Sequence, residues 1–180
     1  QIELLRRFGN KVFYGDAARK DLLDASGAND AQLLVIAIDD ADKILEIASL
    51  AQKHYPHLKI AARAIDRRHA YQLMKLGINT FKRETFDSAL NLGVDALTLL
   101  GNDEEISIRA GKLFAVHDND SLLELAELWG DDHSYGIASK QRTEDLKQVL
   151  HNDKKEQEKL NACKNGDGEA CKEIQESGLH

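Results

Sequence analysis

Lys11-Val-Phe-Tyr-Gly-Asp-Ala-Ala-Arg19 and Leu33-Leu-Val-Ile-Ala-Ile-Asp-Asp40 decide the fold. Each is a short apolar run that ends in an acidic turn, the pattern of a buried strand that delivers polar groups at its carboxyl end. The second run is apolar over six consecutive positions, as expected of a parallel strand covered on both faces. Outward from these runs the pattern alternates strand and helix. Strands are predicted at Val12–Tyr14, Leu33–Ile38, Lys59–Ala62 and Asn79–Phe81. Between them, Ile44, Ile47, Ala48 and Ala51, then Ala70, Leu73 and Met74 before Gly77, fall at helical spacing. This is a βαβ succession, and the expected class is α/β with a Rossmann-like parallel sheet.

After Arg83 the strands stop. Helices are predicted over Thr85–Leu100, Asp103–Leu113, Ser121–Trp129 and Thr143–Leu160. The last is so charged that only Leu146, Val149 and Leu150 are left to pack. The organisation expected is therefore a nucleotide-binding core over 1–101, a helical subdomain for dimerisation and ligand contact over 102–152, and a charged tail over 153–180, disordered or tag-derived. Gln1–Gly9 reads as the last turns of a helix that an earlier segment begins. If Val12–Tyr14 is the third strand of a doubly wound sheet, the order 3-2-1-4-5-6 puts two further strands between it and Leu33–Ile38. Those strands come from preceding chain or from elsewhere, or the sheet is rearranged.

Composition removes several function classes. A formal charge of -7 argues against nucleic acid, because phosphate contacts gain only from a basic surface. The longest apolar run is far short of the roughly 20 residues that a membrane-spanning helix needs. Cys163 and Cys171 show no Cys-x-x-Cys spacing, so neither a zinc site nor a secreted disulfide scaffold is expected, and a reducing cytoplasm is. Their separation resembles one unit of cysteine-rich helical repeats, and one unit builds no array. His54 and His57 lack a third ligand, and Ser26, Ser49 and Ser139 lie in no nucleophile elbow. Arg67-Arg68-His69 reads as a solvated helix start.

The candidate site residues have plainer readings too. Asp16 suits either a ligand contact or the cap of a strand-to-helix turn. Asp39 and Asp40 suit a ligand or the cap of the helix near Asp42. Arg83 suits a ligand or a surface ion pair, and Phe8 a ligand or core packing.

Arg7-Phe-Gly-Asn-Lys-Val-Phe-Tyr-Gly-Asp-Ala17, Ala37-Ile-Asp-Asp40, His57-Leu-Lys-Ile-Ala-Ala-Arg-Ala64 and Arg83-Glu-Thr-Phe-Asp-Ser-Ala-Leu90 together resemble one family. It is the cytosolic regulatory domain of the Kef glutathione-gated potassium efflux systems, in the RCK/KTN nucleotide-binding group. The resemblance runs from Gln1 to about Gly101, fades through Leu150 and is lost from Lys154. It implies a non-catalytic, homodimeric switch on the cytoplasmic face of the inner membrane. In such a switch a ligand acts through its different affinities for two states.

The implied ligands are AMP or another adenine nucleotide, NAD or NADH included, at Asp16, Ala17, Arg19, Asp39, Asp40 and Arg63. Glutathione or its adducts are implied at Phe8, Arg83 and Asn119. The implied partners are a K+/H+ antiport membrane domain of the same protein and an ancillary flavoprotein oxidoreductase subunit. The chain departs from the family in lacking the glycine-rich phosphate loop and the acidic residue that ends the second strand. Two other classes stay open, a nucleotide-dependent oxidoreductase and a plain oligomerisation module.

Overall fold

The structure is a computed structural model and describes residues 11–177. The predicted helix at Gln1–Gly9 lies outside them. The chain divides into two compact units, Gln1–Thr85 and Phe86–His180. The first holds α1 (Lys20–Ser26), β1 (Leu33–Ile36), α2 (Ala41–His54), β2 (Lys59–Ala64), α3 (Arg67–Lys75) and β3 (Phe81–Arg83). The second holds α4 (Phe86–Leu99), α5 (Glu104–Glu127), α6 (Asp132–Lys164) and α7 (Gly168–Ser177). The helix from Phe86 to Leu99 thus belongs with the second unit, although the sequence reading put it with the first.

The three strands form one parallel sheet in the order β1-β2-β3. Residues 12–14 form no strand, which corrects the prediction there. The partner strands that the doubly wound order calls for are not among the described residues, and an isolated extended segment has no ladder to join. The outer edge of β1 is unpaired among the described residues. Leu34 and Ile36 turn inward while Leu33 and Val35 stay 54% and 62% exposed, so a run suited to two-sided burial is covered on one face.

The core of this unit forms where α2 and α3 lay their apolar stripes on the sheet. Ile44, Ala48, Ala51, Ala64, Ala70 and Leu73 are fully buried. Aspartates set the helix starts. The Asp40 carboxylate accepts from the Lys43 N–H (3.0 Å) and opens α2, and the Asp66 carboxylate accepts from the His69 N–H (2.8 Å) and opens α3.

His69 is not solvated as the basic cluster suggested; it is 2% exposed. Its Nδ1 accepts from the Ile65 N–H at 3.1 Å, which puts the ring proton on Nε2. Burial pushes its pKa below the ordinary 6.5, against the opposing pull of Asp66 and Asp42. In the unfolded chain the imidazole takes up its proton near pH 6.5, and in the folded chain only at lower pH. Stability from the neutral ring is therefore complete above pH 6.5 and is lost as pH falls through the folded value. Thermal unfolding midpoints are expected to drop from pH 7 to pH 5 and to do so less in His69→Gln, whose amide oxygen can accept the same N–H. Equal slopes for the two proteins would show that other groups carry the pH dependence.

In the second unit two predicted helices fuse into α5, which runs unbroken through His117-Asp-Asn-Asp120. Asp and Asn are weak helix formers, but packing against α4 and α6 outweighs them. The tail expected to be disordered beyond Asn152 is also helical. α6 continues to Lys164 with no Pro or Gly after Gly136, and buried Asp153 is held by Arg109 at 2.6 Å. The α6 charges are therefore partly a packed face. α7 follows a short turn, and a disulfide joins Cys163 to Cys171, a bond that the sequence reading did not foresee. Trp129 meets Tyr135 edge to face at 5.8 Å where α5 turns into α6.

Candidate functional site at the carboxyl ends of the strands

Parallel strands all end at one edge of the sheet, and there the first unit gathers its polar groups. The residues after β1 carry Asp39 and Asp40, β2 carries Arg63 at its next-to-last position, and β3 ends at Arg83. The turn before α1 adds Asp16. Gly15 makes that turn possible, with φ of +153° and with Leu22 so close that a Cβ would sit 3.1 Å from its methyl.

The Asp16 carboxylate accepts from the Ala18 N–H (3.0 Å) and from Lys43 Nζ (3.3 Å). These two contacts, the amide first, hold its pKa below the usual 3.8, so it is ionised at neutral pH. Lys43 stands in the first turn of α2, where its own N–H binds Asp40 while its Nζ also reaches Glu46 at 2.8 Å. The structure therefore joins Asp16 and Asp40 through Lys43, a residue the sequence reading missed. No local signal marks it, since any residue at that position offers the capped N–H and Asp16 is distant in sequence. Asp40 fills the capping role; Asp39 is exposed beside it.

Arg19 is spent on Asp21, which accepts its Nε and Nη2 at 3.1 and 2.7 Å; both side chains are exposed. Ala17 contributes a half-buried turn backbone next to Asp16. Arg63 pairs with Glu84, which sequence reasoning also missed.

The sheet register separates the two arginines. Arg63 stands opposite Lys82, and Ala64 opposite Arg83. Successive side chains alternate faces, so Arg63 and Arg83 project from opposite faces of the sheet. Of the other glutathione candidates, Asn119 is exposed on α5 in the second unit, and Phe8 lies outside the described residues. The edge thus offers carboxylates for ribose hydroxyls or an exocyclic amine, and cations for phosphate or carboxylate. Among the described residues no three His, Cys, Asp or Glu side chains converge as a metal site.

The second unit carries a different feature, an apolar groove of about 410 Å³ along α4 and α5. Phe86, Leu90, Val94, Leu97, Phe114 and Leu150 line it, and Phe86 stacks on Phe114 at 6.4 Å. Gly93 and Gly111 keep its floor low. Among the described residues no helix is long and apolar enough to cross a membrane.

Two family models divide the chain between them. The TrkA-N domain matches residues 1–82, and the potassium efflux system KefB C-terminal domain matches residues 88–168. The chain is 42% identical over 154 residues to the glutathione-regulated potassium-efflux system protein KefC of Enterobacter sp. (strain 638), a match covering 85% of the chain and 25% of that protein. It is 40% identical over 153 residues to the KefC of Salmonella arizonae, with the same coverage. The chain therefore spans about a quarter of the length of these curated relatives. A solved structure described as the Shewanella denitrificans Kef CTD in AMP bound form is 74% identical, with a TM-score of 0.65, over 67% of this chain and 77% of that one. With the sheet, the helical unit and the sequence in agreement, the chain belongs to the Kef potassium efflux family, as a regulatory domain.

Proposed function

We propose that this chain is a ligand sensor that binds an adenine nucleotide and glutathione or its adducts, and gates a K+/H+ antiport membrane domain of the same protein without turnover of its own. The observation that carries the reading is that Asp39, Asp40 and Arg63 stand at the carboxyl ends of parallel strands, with Asp16, beside Ala17, joined to Asp40 through Lys43. A solved relative of the same family is described as AMP bound, which supports AMP for this edge. Asp16 and Asp39 accept from ribose or adenine, and Arg63, released from Glu84, balances phosphate. Arg19 joins them once it leaves Asp21. NAD or NADH presents the same adenosine.

Arg83 is assigned to glutathione, with Phe8 and Asn119 completing that site. Its planar fork suits a peptide carboxylate, and its position on the face opposite Arg63 supports a site distinct from the nucleotide's. The groove on α4 and α5 is assigned to a second copy of the chain, giving a homodimer. The domain works at the cytoplasmic face of the inner membrane, and a flavoprotein oxidoreductase serves as an ancillary subunit.

Isothermal titration with AMP is expected to give saturable binding. Arg83→Ala should leave that unchanged and weaken glutathione binding roughly 10- to 100-fold, the equivalent of a charge-assisted bond of about 1.5–3 kcal/mol. Equal loss of both ligands would sink the two-site assignment. A folded dimer that takes up no AMP would return the chain to the reading of an oligomerisation module.

A further inference from the structure

We propose that Cys163 and Cys171 form a reversible thiol–disulfide site, oxidised by low-molecular-weight disulfides, that clamps α7 onto α6. Neither cysteine takes part in the ligand reading, and the KefB C-terminal match ends at residue 168, short of Cys171. They are the two cysteines of the chain. Cys163 lies in the last turn of α6 and Cys171 in the first turn of α7, with Cα atoms 4.8 Å apart and both residues half-buried. The intervening turn is built to bring them together. Gly166 takes φ of +96°, and the Asp167 carboxylate accepts from the N–H groups of Glu169 and Ala170 at 3.0 and 3.3 Å. The Cys171 N–H then binds the Asp167 carbonyl at 3.1 Å and closes the first turn.

α7 is a short helix beside the end of α6. It has 10 residues, fewer than the roughly 12–15 at which an isolated helix becomes even marginal in water. Its sequence, Gly-Glu-Ala-Cys-Lys-Glu-Ile-Gln-Glu-Ser, has few apolar side chains. An ion pair between Lys159 and Glu173 at 2.5 Å, both half exposed, also links it to α6. Exposed pairs of this kind contribute little. The disulfide adds a covalent tie across the turn, and its loss is expected to loosen α7.

The chemistry balances with an oxidant RSSR. Cys171, in the first turn of α7, loses its proton and attacks one sulfur of RSSR. This forms a Cys171–SR mixed disulfide and releases RS⁻. Cys163, after losing its proton, attacks Cys171 Sγ, forms the intramolecular bond and releases the second RS⁻. Two thiols have given up two protons and two electrons, and RSSR has become two thiol equivalents. In a compartment rich in reduced thiols a disulfide of this kind is regulatory rather than a permanent staple.

The test equilibrates the full chain in stepped ratios of reduced to oxidised glutathione, traps it with N-ethylmaleimide and measures the intact mass alongside limited proteolysis. The expected result is a single reversible transition from two maleimide adducts to none. Cleavage beyond residue 165 should be at least about 10-fold slower in the oxidised form. The double variant Cys163→Ser with Cys171→Ser should be cleaved rapidly at every ratio. Two adducts at all ratios, a bond that no ratio reduces, disulfides only between copies, or equal cleavage in both redox states would each overturn the proposal.

Discussion

Gly93→Glu is expected to separate the copies of this chain while leaving each copy better folded. Gly93 lines the groove on α4, and a Cβ built there meets nothing within 4 Å. Within one protomer the substitution therefore adds no clash and removes a helix-interior glycine, worth roughly 0.5–1 kcal/mol of helix stability. A second copy seated in the groove would instead strip water from a carboxylate with no partner. That costs about 3 kcal/mol or more, roughly 100-fold in the dimer Kd. Sedimentation velocity should show the wild-type chain as a dimer and the variant as a monomer at the same concentration, with a melting temperature no lower. A variant that remains dimeric would place self-association on another face. Gly111 shows why position 93 is the one to change, because a Cβ at 111 would lie 2.5 Å from a Val94 methyl and disturb the protomer itself.

Leu73→Ala is the largest expected change in the first unit. Leu73 is fully buried on α3, and its carbonyl accepts from the N–H groups of Leu76 and Ile78 at 3.0 and 2.9 Å to close that helix. Alanine keeps those backbone bonds and removes only the packing, so the loss is that of the side chain and of the cavity left behind. A core substitution of this kind costs about 3 kcal/mol. For a unit of this size that lowers the melting temperature by roughly 12–24 °C. The drop should appear in the transition that AMP raises, since ligand bound to the native state stabilises only the unit that holds it. A change of a few degrees would mean that the helices close over the void.

Much of the first unit was legible because its signals are local. Leu33–Ile36 is an unbroken apolar run, α2 repeats its apolar positions at helical spacing, and Asp40 stands where a cap belongs. Val12–Tyr14 misled because a strand is defined by its neighbour, and strand-like residues without a partner stay irregular. His69 misled for a related reason. Its neighbours Arg67 and Arg68 make the segment look solvated, and only the approach of the Ile65 amide explains a buried ring.

In the second unit residues 114–120 fell between two predicted helices, a break that packing overrides. The charged end of α6 suggested disorder, although Asp153 is anchored by Arg109. Arg63 and Arg83 were readable as cations, but their projection from opposite faces depends on a pairing register that no single segment specifies. Lys43 and Glu84 were missed because each acts through a partner distant in sequence, Asp16 for one and Arg63 for the other.

The contact between Trp129 and Tyr135 has a practical consequence. Trp129 is the one tryptophan of the chain, and it belongs to the helical unit. Intrinsic fluorescence excited at the red edge therefore reports the turn between α5 and α6 and is blind to the sheet. Denaturation followed by that signal alone would miss unfolding of the sheet. With Tyr135→Phe, every remaining tyrosine, buried Tyr55 and Tyr71 included, lies in the first unit, and tryptophan and tyrosine signals then read each unit by itself.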